Sequence, residues 1–350
     1  MLKNIKKICI LLILLFMQAV LLSACGSSQI IDSPQPISKT TFLLGTVIDI
    51  KIFDKSDEAV IDEAFKRISE IEKKMTINNA ETSEIIKLNE ESGKKAVNVS
   101  SDTLYVLKKG RYYSELSKGL FDITAGPIVK LWNIGTDYAA VPDSNTLAQK
   151  LQLVNYEKLT INEDASSAEL EQSGMAVDLG AIAKGYAADE ATAILRKHGV
   201  KHAIINLGGN MVVIGDNPNG NPWKIGIQDP DNPRGDYMGI IPLTDQTVVT
   251  SGIYERFLEK DGRRYHHILD TRTGFPADNN LSSVSIITDS SIDADALSTT
   301  TFIMGLEEGF RYIEALENVE AIFITKDKKV YLTSGIKDRF VIVKKDYIQQ

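Results

Sequence analysis

From Leu159 onward the chain interleaves short strand-like runs with helical ones in an order that no regular strand–helix repeat produces. Residues 202–206, 211–215, 224–228, 247–251 and 283–288 have the composition of strands, and helical patterns near 181–198, 293–304 and 307–317 interrupt them. A doubly wound parallel sheet needs a helix between consecutive strands, and here several strands follow one another directly, so the order predicts an α+β fold of mixed sheets with packed helices. Upstream, 41–53 reads as one strand. Residues 56–75 read as an amphipathic helix, with Val60, Ile61, Ala64, Phe65, Ile68, Ile71 and Met75 at helical spacing and Ser56 as its cap. Residues 102–117 read as a further helix. No internal repeat is visible and no Pro/Ser-rich linker follows Lys39, so 41–345 is expected to form a single large unit, long enough for a buried core.

The first residues carry an address. Lys3, Lys6 and Lys7 precede an apolar run from Ile8 to Met17, shorter than the roughly 20 residues a membrane-spanning helix needs but suited to a signal-peptide core; a short N-terminal membrane anchor is the competing reading. Leu22-Ser23-Ala24-Cys25 resembles the bacterial lipobox, and that resemblance implies cleavage before Cys25 with lipid attached to its thiol. On this reading 1–24 is a lipoprotein signal peptide and 25–40, rich in Ser, Pro and Gln, a flexible tether holding the domain at the outer face of the cytoplasmic membrane. The two cysteines, Cys9 and Cys25, are then lost with the signal and taken by lipid, so no disulfide scaffold is possible. A net charge of −8 argues against general binding to nucleic acid or an anionic membrane surface.

Five segments place small, acidic and hydroxyl residues where packing alone does not ask for them. Asp178-Leu179-Gly180-Ala181-Ile182-Ala183-Lys184-Gly185, running on to Asp189, opens a helix. Small residues let a ligand approach the backbone, the helix start offers unpaired N–H groups and Lys184 adds charge, all suited to a pyrophosphate. A plain strand-to-helix turn capped by Asp178 fits the same residues, and neither the Walker nor the Rossmann glycine spacing is present. Asn206-Leu207-Gly208-Gly209-Asn210 reads as a ligand loop or as a hairpin turn. Thr250-Ser251-Gly252-Ile253-Tyr254-Glu255-Arg256 sets hydroxyls beside Arg256, available for a phosphate or for a surface ion pair. His266 and His267 are adjacent in a strand-like run, so only one faces a given site; a histidine is the natural proton acceptor near neutral pH, and a backbone-satisfied pair is the alternative. In the fifth, 293–300, Asp295, Ser298 and Thr299 fall on one helical face, a carboxylate with hydroxyls suited to Mg2+, although an acidic residue also simply favours a helix start. Together the residues suggest a Mg2+-assisted reaction at a pyrophosphate and do not name the nucleotide.

In this order the segments resemble the ApbE family of FAD:protein FMN transferases. The likeness runs from Leu44-Gly45-Thr46 to Met304-Gly305 and also takes in Phe121-Asp122-Ile123-Thr124-Ala125-Gly126-Pro127 and Trp223-Lys224-Ile225-Gly226-Ile227-Gln228-Asp229-Pro230. The resemblance implies an ApbE-like, T-fold-related fold and transfer of FMN from FAD to a threonine hydroxyl of an acceptor protein, with release of AMP. It implies Mg2+ held by Asp295, Thr299, the Ala181 carbonyl and Ser298. FAD contacts are implied from Leu44, Asn78, Leu120, Phe121, Asp122, Asp178, Lys184 and Leu269. It gives His267 as the base and Lys184 as a further catalytic charge, and a membrane or extracellular redox protein as acceptor. Two positions depart from the pattern: Leu44 stands where methionine is usual, and Ile77 and Asn78 stand where an aromatic residue commonly stacks on the flavin. The second departure bears on a competing outcome, Mg2+-dependent hydrolysis of FAD to FMN and AMP. A non-catalytic flavin-binding lipoprotein is the remaining alternative, and it predicts that Asp295→Ala leaves function intact.

Overall fold

Nine strands build one sheet, in the spatial order Ile37–Leu43, Thr46–Ile52, Ala203–Leu207, Asn210–Ile214, Thr247–Gly252, Leu281–Thr288, Glu320–Thr325, Lys329–Leu332 and Ile348–Gln349. All neighbours run antiparallel except the last pair, which is parallel. The computed structural model describes residues 35–55, 57–78 and 81–350, and 35–350 form one compact unit. The expected signal peptide, the lipidation site Cys25 and the helix cap Ser56 lie outside the described residues.

The sheet divides two apolar cores. On one face the helices Ala59–Met75, Ala183–Lys197 and Ser291–Met304 cover Ile48, Ile50, Ile205, Val249, Val284 and Ile286. On the other, a three-stranded sheet (Trp223–Gln228, Tyr237–Leu243, Val341–Ile342) lays Trp223, Ile225, Ile227, Met238 and Ile241 against Val213, Val248, Ile287, Ile322 and Ile324. Val248 and Val249 serve opposite cores because successive strand side chains point to opposite faces. With both faces covered, every residue of Leu281–Thr288 is buried, which is why its sequence shows no alternation. A two-stranded hairpin, Phe257–Lys260 with Arg263–His266, stands apart from these sheets. No described helix is long and apolar enough to cross a membrane.

Asp229, in the Trp223–Gln228 region, ties down the C-terminal segment: it accepts from Lys344 Nζ at 2.6 Å and Tyr347 Oη at 2.7 Å. Burial alone would raise its pKa, but these donors outweigh that and hold the carboxyl well below the usual range.

Three expectations are corrected. The single strand 41–53 is two strands of a hairpin, joined by Leu44 and Gly45 at φ 53° and 67° with Leu43 opposite Thr46. Positive φ at both central residues is the turn that matches the right-handed twist of the strands, and the apolar pattern runs on across it unmarked except by the glycine. The tether does not reach residue 40, because the edge strand starts at Ile37 and Lys39 pairs with Glu58 at 3.1 Å and Asp62 at 2.8 Å. The amphipathic helix begins at Ala59, with Glu58 at its N-cap making no side-chain cap bond.

Candidate active site

The two helices that carry most of the predicted chemistry touch through a glycine. A Cβ on Gly185 would lie 2.3 Å from the Ser291 carbonyl oxygen and 2.6 Å from Ile292 Cα, so only hydrogen permits the approach. One turn on, Asp189 accepts from the backbone N–H groups of Ser291 (2.8 Å) and Ile292 (2.9 Å), satisfying donors that the start of helix Ser291–Met304 leaves open. Burial pushes the Asp189 carboxyl up to about 6.

This lock sets the position of Asp295. Its carboxylate, 3% exposed, accepts from the Gly185 N–H at 2.9 Å and lies 3.2 Å and 3.4 Å from Lys184 Nζ. Gly185 lies in the first turn of its helix and donates across to Asp295, so the Ala181 carbonyl four residues back accepts no hydrogen bond among the described residues. One turn beyond Asp295, Ser298 Oγ lies 2.8 Å and Thr299 Oγ1 3.3 Å from Ser251 Oγ of the adjoining strand, and Ser298 also donates to the Asp295 carbonyl. No group of three or more His, Cys, Asp or Glu residues able to hold a metal occurs among the described residues. The donors that these segments offer are instead one carboxylate, several hydroxyls and an undonated carbonyl, the hard-oxygen set that suits Mg2+ better than a transition metal.

The adjacent histidines part at the end of a strand, since Arg263–His266 stops at the first and His267 already lies in the bend beyond it. His266 is buried edge-on against Phe302 at 5.6 Å, its Nε2 3.1 Å from the Ala277 carbonyl, and burial pulls its pKa down to about 4. His267 takes the other direction. Its Nδ1 is 3.2 Å from the Arg256 carbonyl, which can only accept, so Nδ1 carries the proton and Nε2 presents a lone pair. Burial, then the charge of Arg256 and, less strongly, that of Lys184, hold His267 down to about 3 despite the carbonyl contact, so the ring is neutral at working pH. Asp178 feels Arg256 as well, although burial dominates and raises its pKa; its Oδ1 accepts from the Gly180 N–H at 2.8 Å.

Backbone bonds draw the remaining segments in. The Asp178 N–H donates to the Ile123 carbonyl at 2.8 Å, and Thr271 Oγ1 donates to the Gly119 carbonyl at 2.5 Å. Leu120 and Phe121 are buried between these ties, and Leu269 packs with Ile128 and Trp132. Asp122 spends both oxygens locally, on Thr124 N and Oγ1 at 2.7 Å and on Tyr156 N at 3.0 Å, and burial raises its pKa; its carboxylate holds the loop. Leu44 and Asn78 sit at the C-terminal end of helix Ala59–Met75, where Glu72 accepts from the Leu44 N–H at 2.7 Å, and no hydrogen bond joins either residue to the Lys184–Asp295 pair. Gly208 and Gly209 form a two-residue hairpin turn, the plainer of their two readings, with Leu207 opposite Asn210. Sequence reasoning assigned no role to Gly185, Asp189 or Ser251, although all three lie inside segments it singled out; only the helix crossing reveals what they do.

Comparison with known proteins adds a common thread. A model described as the ApbE family matches residues 44–323. The FAD:protein FMN transferase of Klebsiella pneumoniae is 38% identical over 87% of this chain and 93% of its own. That of Treponema pallidum is 35% identical over 86% of this chain and 88% of its own. Among solved structures, the apbe protein of Thermotoga maritima superposes with a TM-score of 0.79 at 30% identity, covering 87% of this chain and 98% of that one. The flavin transferase ApbE of Vibrio cholerae gives 0.78 at 29% identity, covering 87% and 99%.

Proposed function

The chain belongs to the ApbE family and is a flavin transferase, and on that footing we propose that it moves the FMN half of FAD onto a threonine hydroxyl of an acceptor protein, with Mg2+ and with release of AMP. The observation that carries the finer reading is the buried Asp295 carboxylate, touched by Lys184 and the Gly185 N–H, with the hydroxyls of Ser298 and Thr299 one helical turn away and that of Ser251 bonded to them from the adjoining strand. Asp295, Thr299, Ser298 and the Ala181 carbonyl would hold the ion, which when bound offsets charge on the transferred phosphoryl group and on the departing AMP.

In the transfer the threonine oxygen bonds to the FMN phosphorus, the bond from that phosphorus to the oxygen bridging to AMP breaks, and AMP leaves with the electron pair. The hydroxyl proton goes to Nε2 of His267, whose ring is neutral and fixed at Nδ1 by the Arg256 carbonyl. A base so placed contributes typically 10²–10⁴-fold. Lys184 supplies positive charge beside the phosphates, and positioning supplies much of the remainder, since a free threonine hydroxyl is a poor nucleophile. On this reading Leu120, Phe121, Asp178 and Leu269 line the FAD side, with the Asp122 carboxylate holding that loop in shape, while Leu44 and Asn78 form an outer rim.

Hydrolysis of FAD to FMN and AMP is the competing outcome, favoured by Ile77, 43% exposed beside Asn78 where an aromatic platform would stack on the flavin. The lipid anchor, the position at the outer face of the membrane and a membrane or extracellular redox protein as acceptor are part of the proposal; the anchor has its support in Leu22-Ser23-Ala24-Cys25, and the mass of the mature N-terminus tests it. Incubation with FAD, Mg2+ and an acceptor domain, followed by a denaturing gel viewed for flavin fluorescence, tests the transfer. A fluorescent acceptor band supports it, whereas free FMN with an unlabelled acceptor supports hydrolysis.

A further inference from the structure

We infer that Arg256 is a binding residue for the diphosphate of the dinucleotide substrate, an assignment that rests on the transferase reading above. The sequence left this arginine two uses, a phosphate or a surface ion pair, and the ion pair is not made. Among the described residues its guanidinium has no hydrogen-bond or ion-pair partner, whereas Arg67, Arg111, Arg196, Arg234, Arg264 and Arg272 each grip a carboxylate. Its own neighbour Glu255 is taken by Arg234.

An exposed arginine without a partner is common, and three features set this one apart. Its stem lies across Gly135: a Cβ there would sit 3.0 Å from Arg256 Cδ, so the absent side chain gives the stem its seat. Its main chain is pinned from the other direction, since the Arg256 carbonyl accepts from the His267 N–H at 3.1 Å and from Nδ1 of the same residue at 3.2 Å. The residue is thus bonded directly to the proposed base, and its charge reaches both His267 and Asp178. Lys184 is already engaged with Asp295, so Arg256 is the cation near the imidazole that has no anion of its own. A planar guanidinium with its fork of N–H donors matches two phosphate oxygens at once, which an ammonium does not.

The test is FAD affinity in Mg2+ buffer, measured by calorimetry on the folded protein for Arg256→Met, Arg256→Lys and, as a control on the same hairpin region, Arg263→Met, where the guanidinium lies over the Tyr265 ring instead. The expected result is a loss of at least tenfold for Arg256→Met, about 1.4 kcal/mol, a smaller loss for Arg256→Lys, and affinity within about twofold of wild type for Arg263→Met. Should Arg256→Met not fold, the Arg256→Lys loss decides. Affinity unchanged in both Arg256 variants, or an equal loss in Arg263→Met, overturns the assignment while leaving transferase activity standing. A wild-type protein that does not bind FAD contradicts the transferase reading itself.

Discussion

The proposed base, His267, owes its protonation state to what surrounds it. Burial and the charges of Arg256 and Lys184 hold its pKa to about 3, so over the working range it is already deprotonated and does not switch. The sign follows: a group whose pKa is lowered loses its base form only on acidification past that lowered value, so kcat/KM for FAD carries no ionisation near 6.5 and any limb from His267 falls below about pH 4. His267→Gln keeps the size and removes the base, and is expected to cost about 10²–10⁴-fold in transfer at pH 7 while leaving FAD affinity close to wild type. An acid limb centred at 6.5 that disappears in His267→Gln contradicts this account. The adjacent His266 shows how little sequence says about such pairs: the same residue type one position earlier is a core residue on Ala277 and Phe302. Strand alternation does not part the two, because the strand ends at His266 and His267 lies beyond it. That His267 is the proposed base followed from the resemblance, and its depressed pKa was not readable, because it depends first on burial in the folded chain and then on the charge of Arg256.

At the scale of elements, the site is a crossing of two helices, Ala183–Lys197 and Ser291–Met304, and Gly185 is the point of contact. Placing alanine for glycine within a helix ordinarily stabilises by up to about 1 kcal/mol. Here the added methyl meets the Ser291 carbonyl at 2.3 Å, and overpacking of this kind costs typically 1–3 kcal/mol, so the clash wins. Gly185→Ala is therefore expected to lower the thermal unfolding midpoint and to reduce transfer, because displaced helices separate Lys184 and the Gly185 N–H from Asp295. A raised midpoint with full activity contradicts the crossing. The longer helices were legible in the sequence, including the one read at 102–117, which spans Ser101–Leu116, whereas its Ser100 cap and many of the short strands were not. The turn at Leu44-Gly45 was not, since an unbroken apolar pattern hides a two-residue reversal. The burial of Leu281–Thr288 on both faces was likewise hidden, because it depends on a sheet assembled from both ends of the chain.

At the scale of the molecule, a nine-stranded sheet covered by helices on one face and a small sheet on the other sets the strand that carries Ser251 against the helix that carries Asp295, while backbone bonds tie the segments near 120 and 178 together. Fold class could be read from element order, but strand partners far apart in sequence leave no local trace, so the cluster was visible beforehand only as a succession of family-like blocks. What marks the candidate site physically is one buried carboxylate held by a lysine and a helix-start N–H, with hydroxyls one turn along the same helix. The most direct test of that claim compares wild type with Asp295→Ala, each confirmed as folded, for Mg2+-dependent flavin labelling of an acceptor domain on a denaturing gel. The account predicts strong labelling by wild type that is abolished by chelation, and essentially none by Asp295→Ala. Labelling by Asp295→Ala at a rate near wild type would contradict it.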